Sequence, residues 1–123
     1  MHVLITGASG FVGSHLVQCL SQRGNKVSGV LRRGSVAPAA LQSLGGTLID
    51  ITDIAGDIDW APKLQGVEAV VHLAARVHVM QEAAADPLES FRRVNVLGTQ
   101  RLAEAAVAAG VRRFVYVSSI KVN

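Results

Sequence analysis

The sequence predicts an α/β chain built on a doubly wound, parallel sheet that is cut off after about five strands. Three observations predict this. Short apolar runs alternate with amphipathic stretches from end to end, the runs lack period-two alternation, and glycine or charge separates each from the next. Strands that read as continuous apolar runs are covered on both faces, and regular strand–helix alternation makes them parallel with right-handed crossovers.

His2 to Thr6 is the first apolar run, closed by Gly7. From Phe11 to about Arg23, Val12, Leu16, Cys19 and Leu20 recur at helical spacing, and Gly24-Asn25 supplies the stop. Val27 to Leu31 is the second strand. A short helix around Pro38 to Leu44 leads through Gly45-Gly46 to a third strand, Thr47 to Ile51. Trp60 to Leu64 makes a turn or two of helix, and Val67 to Leu73 is the fourth strand. Asp86-Pro87-Leu88-Glu89 opens a long helix, with Asp as cap, Pro at the first helical position and Glu three residues after the cap. That helix runs to Ala109, where Gly110 stops it. Phe114 to Ser118 is the fifth strand, with Tyr116 inside it as a buried residue, although with no helix after it in this sequence the strand is open to being an exposed edge.

With 123 residues, 50% hydrophobic and 17% charged, the chain has the material for one domain spanning 1–123. No apolar run is long enough to cross a membrane, and the N-terminus has no signal-peptide pattern. Cys19 is the only cysteine, which excludes an internal disulfide and favours a cytoplasmic setting. The net charge of +3 is carried by scattered arginine pairs without interleaved aromatics, a pattern that argues against nucleic acid and suits a small phosphate-bearing ligand. His72 and His78 lack ligand spacing, so no metal site is expected.

Thr6-Gly7-Ala8-Ser9-Gly10-Phe11-Val12-Gly13 lies between the first strand and the first helix, and that position gives the glycines meaning. Gly7 permits the bend, Gly10 lets backbone approach a pyrophosphate, and Gly13 lets the helix pack closely on the strand. The helix N-terminus, with Ser9, Phe11 and Val12 around it, then faces the phosphates. An acidic residue at the end of the second strand would normally hold the adenosine ribose and repel a 2′-phosphate. Leu31 stands there, followed by Arg32-Arg33, whose guanidiniums suit a phosphate. The expected cofactor is therefore NAD(P), with NADP favoured over NAD. Arg32 and Arg33 are otherwise solvated loop charges, or stack on the adenine of NAD.

The spacing Thr-Gly-x-x-Gly-x-x-Gly resembles the short-chain dehydrogenase/reductase superfamily, a Rossmann-type fold. The rest of the chain is similar to its extended branch of nucleotide-sugar epimerases, dehydratases and ketoreductases, the UDP-glucose 4-epimerases among them. That resemblance implies several roles. Asp53 and Ile54 would contact adenine, with Asp50 and Asp57 as competitors for the register. Leu73, Ala74 and Ala75, in Val-His-Leu-Ala-Ala, would leave room for the cofactor, with His72 packed at the strand end rather than catalytic. Asn95, in Arg-Val-Asn-Val-Leu-Gly-Thr, would support the active site unless it is an exposed polar residue. Ser119 would hydrogen-bond the reacting substrate oxygen, with Ser118 nearer the cofactor. The resemblance also implies a Tyr-x-x-x-Lys pair well beyond the serine, past residue 123; Tyr116, with Ile120 rather than lysine four residues on, is no substitute.

The expectation is thus a truncated, inactive front part of an enzyme acting on a nucleotide-diphosphate sugar, able to form a homodimer only at full length. The alternative is a non-enzymatic dinucleotide sensor of the same superfamily that lacks the tyrosine.

Overall fold

The computed structural model describes residues 1–74 and 92–117. Its strands are β1 (His2–Thr6), β2 (Lys26–Arg32), β3 (Thr47–Ile51), β4 (Ala69–His72) and β5 (Arg113–Tyr116), in the order β3-β2-β1-β4-β5. Every neighbouring pair is parallel. The helices are α1 (Phe11–Gln22), α2 (Ala39–Ser43), α3 (Trp60–Lys63) and α4 (Thr99–Ala108), the last entered through a π-helical turn, Arg93–Gly98. None of the described helices is long and apolar enough to cross a membrane.

The continuous apolar runs are explained by cores on both faces of the sheet. Along β1, Val3 and Ile5 point to one side, where Val27, Leu31, Val17 of α1 and Leu41 of α2 meet them. Leu4 points to the other side, among Val30, Val70, Trp60, Leu64, Leu102 and Ala106. Leu4 is fully buried at the centre of that second core. Leu4→Ala should therefore cost about 2–5 kcal/mol of stability. Urea unfolding measures this, and a loss under 1 kcal/mol would place Leu4 outside the core.

Three expectations need correction. In α1, Val12 and Cys19 are exposed, and Gly13 and Val17 are the buried positions, flanked by half-buried Leu16 and Leu20. The helix is phased by the close approach of Gly13 to the loop before it, so its buried stripe runs 13, 16, 17, 20. Tyr116 is not buried: β5 is a sheet edge, and Val115 and Tyr116 are 48% and 47% exposed. The long helix is not regular, since residues 93–98 form a π-helical turn. The Thr99 hydroxyl donates to the Asn95 carbonyl (2.8 Å), a local bond of the kind that competes with the helical ladder. The cap at Asp86 to Glu89 lies outside the described residues. At the other end, Gly110 takes φ +78° and Val111 N–H donates to Ala106 O (3.0 Å), which closes α4 as expected.

Candidate cofactor-binding site

β1 hydrogen-bonds to β2 on one side and to β4 on the other, so the chain reverses its direction of travel across the sheet at β1. Crevices at the carboxyl ends of strands flanking such a reversal bind ligands. A cleft of about 310 Å³ opens there.

Its floor is the glycine loop. Gly7 has φ +67°, and a Cβ there would lie 2.9 Å from Ala74 N and 3.0 Å from Leu73 C. The loop is thus pressed onto the exit of β4. A Cβ on Gly13 would fall 2.1 Å from Gly7 O, so α1 can start where it does only with glycine there. Gly10 is less constrained behind, with 3.4 Å to Gly7 O, and it lines the cleft. α1 has no side-chain cap and no acidic residue in its first turn, so its N-terminal N–H groups and positive dipole end suit an anion. These features fit the phosphates of a dinucleotide.

The far wall is Arg32 with Asp53 and Ile54. Asp53 Oδ1 accepts from Ala55 N–H (2.9 Å), which folds residues 53–55 into a tight turn. Asp53 Oδ2 faces Arg93 Nη2 at 3.3 Å, a solvent-exposed pair whose worth is about 0–1 kcal/mol. Arg101 Nη1 donates to the carbonyls of Ala55 (2.7 Å) and Gly56 (3.1 Å), and Gly98 lies against Ile54, where a Cβ would be 3.2 Å from its carbonyl oxygen. The π turn and α4 therefore hold this wall from outside. Asp50 is an exposed residue of β3 and Asp57 opens onto a different groove, so of the three competing aspartates Asp53 is the one at the cleft.

The near wall is Leu73 and Ala74. Both N–H groups donate to the hydroxyl oxygen of buried Thr6, each at 3.0 Å. His72 is 1% exposed, and burial pushes its imidazole down to about 4.

The structure thus brings together Gly7, Ser9, Gly10, Arg32, Asp53, Ile54, Leu73 and Ala74. Phe11 and Val12 point into solvent from the first turn of α1, and Gly13 packs behind the loop, so none of these three lines the cleft. Arg33 is also exposed and away from it, its N–H tied to Ile51 O (2.7 Å). Asn95 is half-buried in the π turn and does not line the cleft, although its neighbour Val94 does. Ala75, Ser118 and Ser119 lie outside the described residues. Sequence reasoning missed Val30, Ser35, Ile51 and Val94 as lining residues. Val30 and Ile51 sit at strand ends, a signal available in principle, whereas Val94 arrives from a distant helix and carried none.

A family model described as the NAD dependent epimerase/dehydratase family matches residues 3–122. The chain belongs to this family. Relatives similar to this epimerase/dehydratase-family chain include a UDP-glucose 4-epimerase of Vibrio cholerae, 40% identical over 121 residues, covering 98% of this chain and 35% of that one. A 3-beta-hydroxysteroid dehydrogenase of Mycolicibacterium neoaurum is 38% identical, covering 95% of this chain and 31% of that one. Among solved structures, MoeE5 in complex with UDP-glucose and NAD superposes with a TM-score of 0.78 at 39% identity, covering 99% of this chain and 38% of that one. The chain spans about a third of the length of these relatives. The Rossmann-type fold of an epimerase/dehydratase is shared with them.

Proposed function

We propose that residues 1–123 form the dinucleotide-binding part of a nucleotide-sugar epimerase, dehydratase or ketoreductase that acts by hydride transfer at a sugar carbon. The observation that carries this reading is the cleft itself. An uncapped helix end and glycine floor lie between a basic-and-acidic wall (Arg32, Asp53) and a wall of small or aliphatic residues (Leu73, Ala74). The nucleotide-sugar assignment draws on the Vibrio cholerae relative and on MoeE5, whose structure contains UDP-glucose. A bound nicotinamide would supply the hydride acceptor and donor. Ser119 would hydrogen-bond the reacting oxygen, Asn95 would support that site, and Ala75 and Ser118 would border the cofactor. These 123 residues contain no Tyr-x-x-x-Lys pair, so by themselves they would bind dinucleotide without turnover. The lone Cys19 favours a cytoplasmic setting.

For the choice of dinucleotide, NADP(H) is the reading favoured by Arg32, which lines the cleft, and by the absence of a carboxylate at Leu31. MoeE5 contains NAD, so the preference for NADP(H) rests on these two features at the end of β2 and not on that relative. Calorimetric titration with both nucleotides at moderate salt tests it. NADP⁺ should bind more tightly, and Arg32→Glu should weaken NADP⁺ at least about ten-fold through loss of a charge-assisted hydrogen bond. Tighter binding of NAD⁺ to the unaltered protein would overturn the preference, and binding of neither would overturn the dinucleotide reading.

A further inference from the structure

We infer that His72 is a positioning residue: as a neutral imidazole protonated on Nε2, it links the strand-end turn lining the cleft to the π-helical turn carrying Asn95. The consequence for cofactor affinity rests on the dinucleotide reading of the cleft; the link itself does not.

The proton arrangement follows from counting donors. Thr6 Oγ1 already accepts from Leu73 N–H and Ala74 N–H, which occupies both of its lone pairs. Its own proton must therefore be donated, and the atom facing it at 2.7 Å is His72 Nδ1. Nδ1 is then unprotonated, and the ring carries its proton on Nε2. That N–H donates to Thr99 Oγ1 at 2.9 Å. The Thr99 hydroxyl in turn donates to the Asn95 carbonyl at 2.8 Å. Donation runs one way, from Thr6 through His72 and Thr99 to Asn95.

The reverse tautomer would set Nδ1–H against an oxygen with no lone pair left. It would also require Thr99 to turn its proton away from Asn95. An imidazolium fails at the same Thr6 contact. Thr6 and His72 are 0% and 1% exposed, so water does not replace a lost partner cheaply. The ring is further held by Tyr116, stacked with centroids 5.8 Å apart, and by Phe114 at 6.2 Å. The network therefore admits one arrangement, and it fixes the exit of β4 relative to residues 93–99.

Thr99 is the place to test this, because it does not line the cleft. In nitrogen-15 NMR of the unaltered protein, His72 should appear neutral and Nε2-protonated between pH 6 and 8. The Nδ1–H tautomer or an imidazolium there would overturn the inference. Thr99→Val keeps the shape and removes the hydroxyl. It should speed hydrogen exchange at the Leu73 and Ala74 amides and weaken dinucleotide binding about 3- to 10-fold, as loss of one buried hydrogen bond does. Thr99→Ser should restore both. Unchanged exchange at both amides in Thr99→Val would refute the link. If the unaltered protein binds no dinucleotide, the cleft reading fails instead, and the tautomer and exchange results still decide the role of His72.

Discussion

Gly13→Ala should abolish measurable dinucleotide binding, weakening it more than about 100-fold, and should cost about 3 kcal/mol of stability or more. The new methyl carbon would stand 2.1 Å from Gly7 O and 3.0 Å from Ala8 Cα, both backbone atoms. No rotamer change relieves such an overlap; the loop or the helix must move by more than an ångström. The loop has nowhere to go, because Gly7 is already pressed on Ala74 N. Gly10→Ala is the control. Its Cβ meets only Gly7 O, at the edge of ordinary contact, so the fold should survive while the methyl narrows the cleft. Thermal unfolding and calorimetric titration of both variants separate the two effects. Gly13→Ala binding within three-fold of the parent would show that the loop is not held as described.

Acid should destabilise the fold through His72. Its ordinary value of 6.5 falls to about 4 in the fold because burial disfavours the charged ring. Above pH 6.5 both folded and unfolded chains carry a neutral ring, and the residue adds no pH dependence. Below it the unfolded chain takes up a proton that the folded chain refuses. Stability then drops by about 1.4 kcal/mol per pH unit, until near pH 4 the folded ring protonates as well, for a total near 3 kcal/mol. Among the described residues Tyr116 stacks on the ring, and burial is the cause of the shift. His2 acts in the same direction, lowered first by burial and then by Lys26. Urea unfolding at pH 7 and pH 4.5 should show the loss in the parent, and a flatter dependence in His72→Gln. Identical dependence in both proteins would refute the assignment.

How far the site was legible depends on where its determinants lie. The glycine loop could be read because it is local: a strand, a turn and a helix within the first 22 residues. Asp53 could be separated from Asp50 and Asp57 only once β3 was paired with β2, which sets Asp50 opposite Leu31 and leaves Asp53 to turn into the cleft. Val12 and Cys19 misled because hydrophobicity marks what can be buried, whereas α1 is phased by Gly13, a residue with no side chain to give a signal. The edge position of β5 could be foreseen, but the burial expected of Tyr116 misled, because an apolar run looks the same in a central strand and at an edge. The π turn was out of reach, since besides the local Thr99 hydroxyl bond it depends on Gly98 meeting Ile54, a contact that joins distant parts of the chain.

The central place of β1 has a consequence for synthesis. Of these five strands β1 is synthesised before the others, yet one of its hydrogen-bonding edges is satisfied only by β4, at residues 69–72. The nascent chain can close β1 against β2 early, but the other edge must wait for about forty more residues, a delay set by non-local pairing. The outer wall of the cleft is later still, because Arg101 must emerge before Ala55 and Gly56 are clasped. β1 and the glycine loop that floors the cleft thus stay open to unwanted strand partners until β4 arrives.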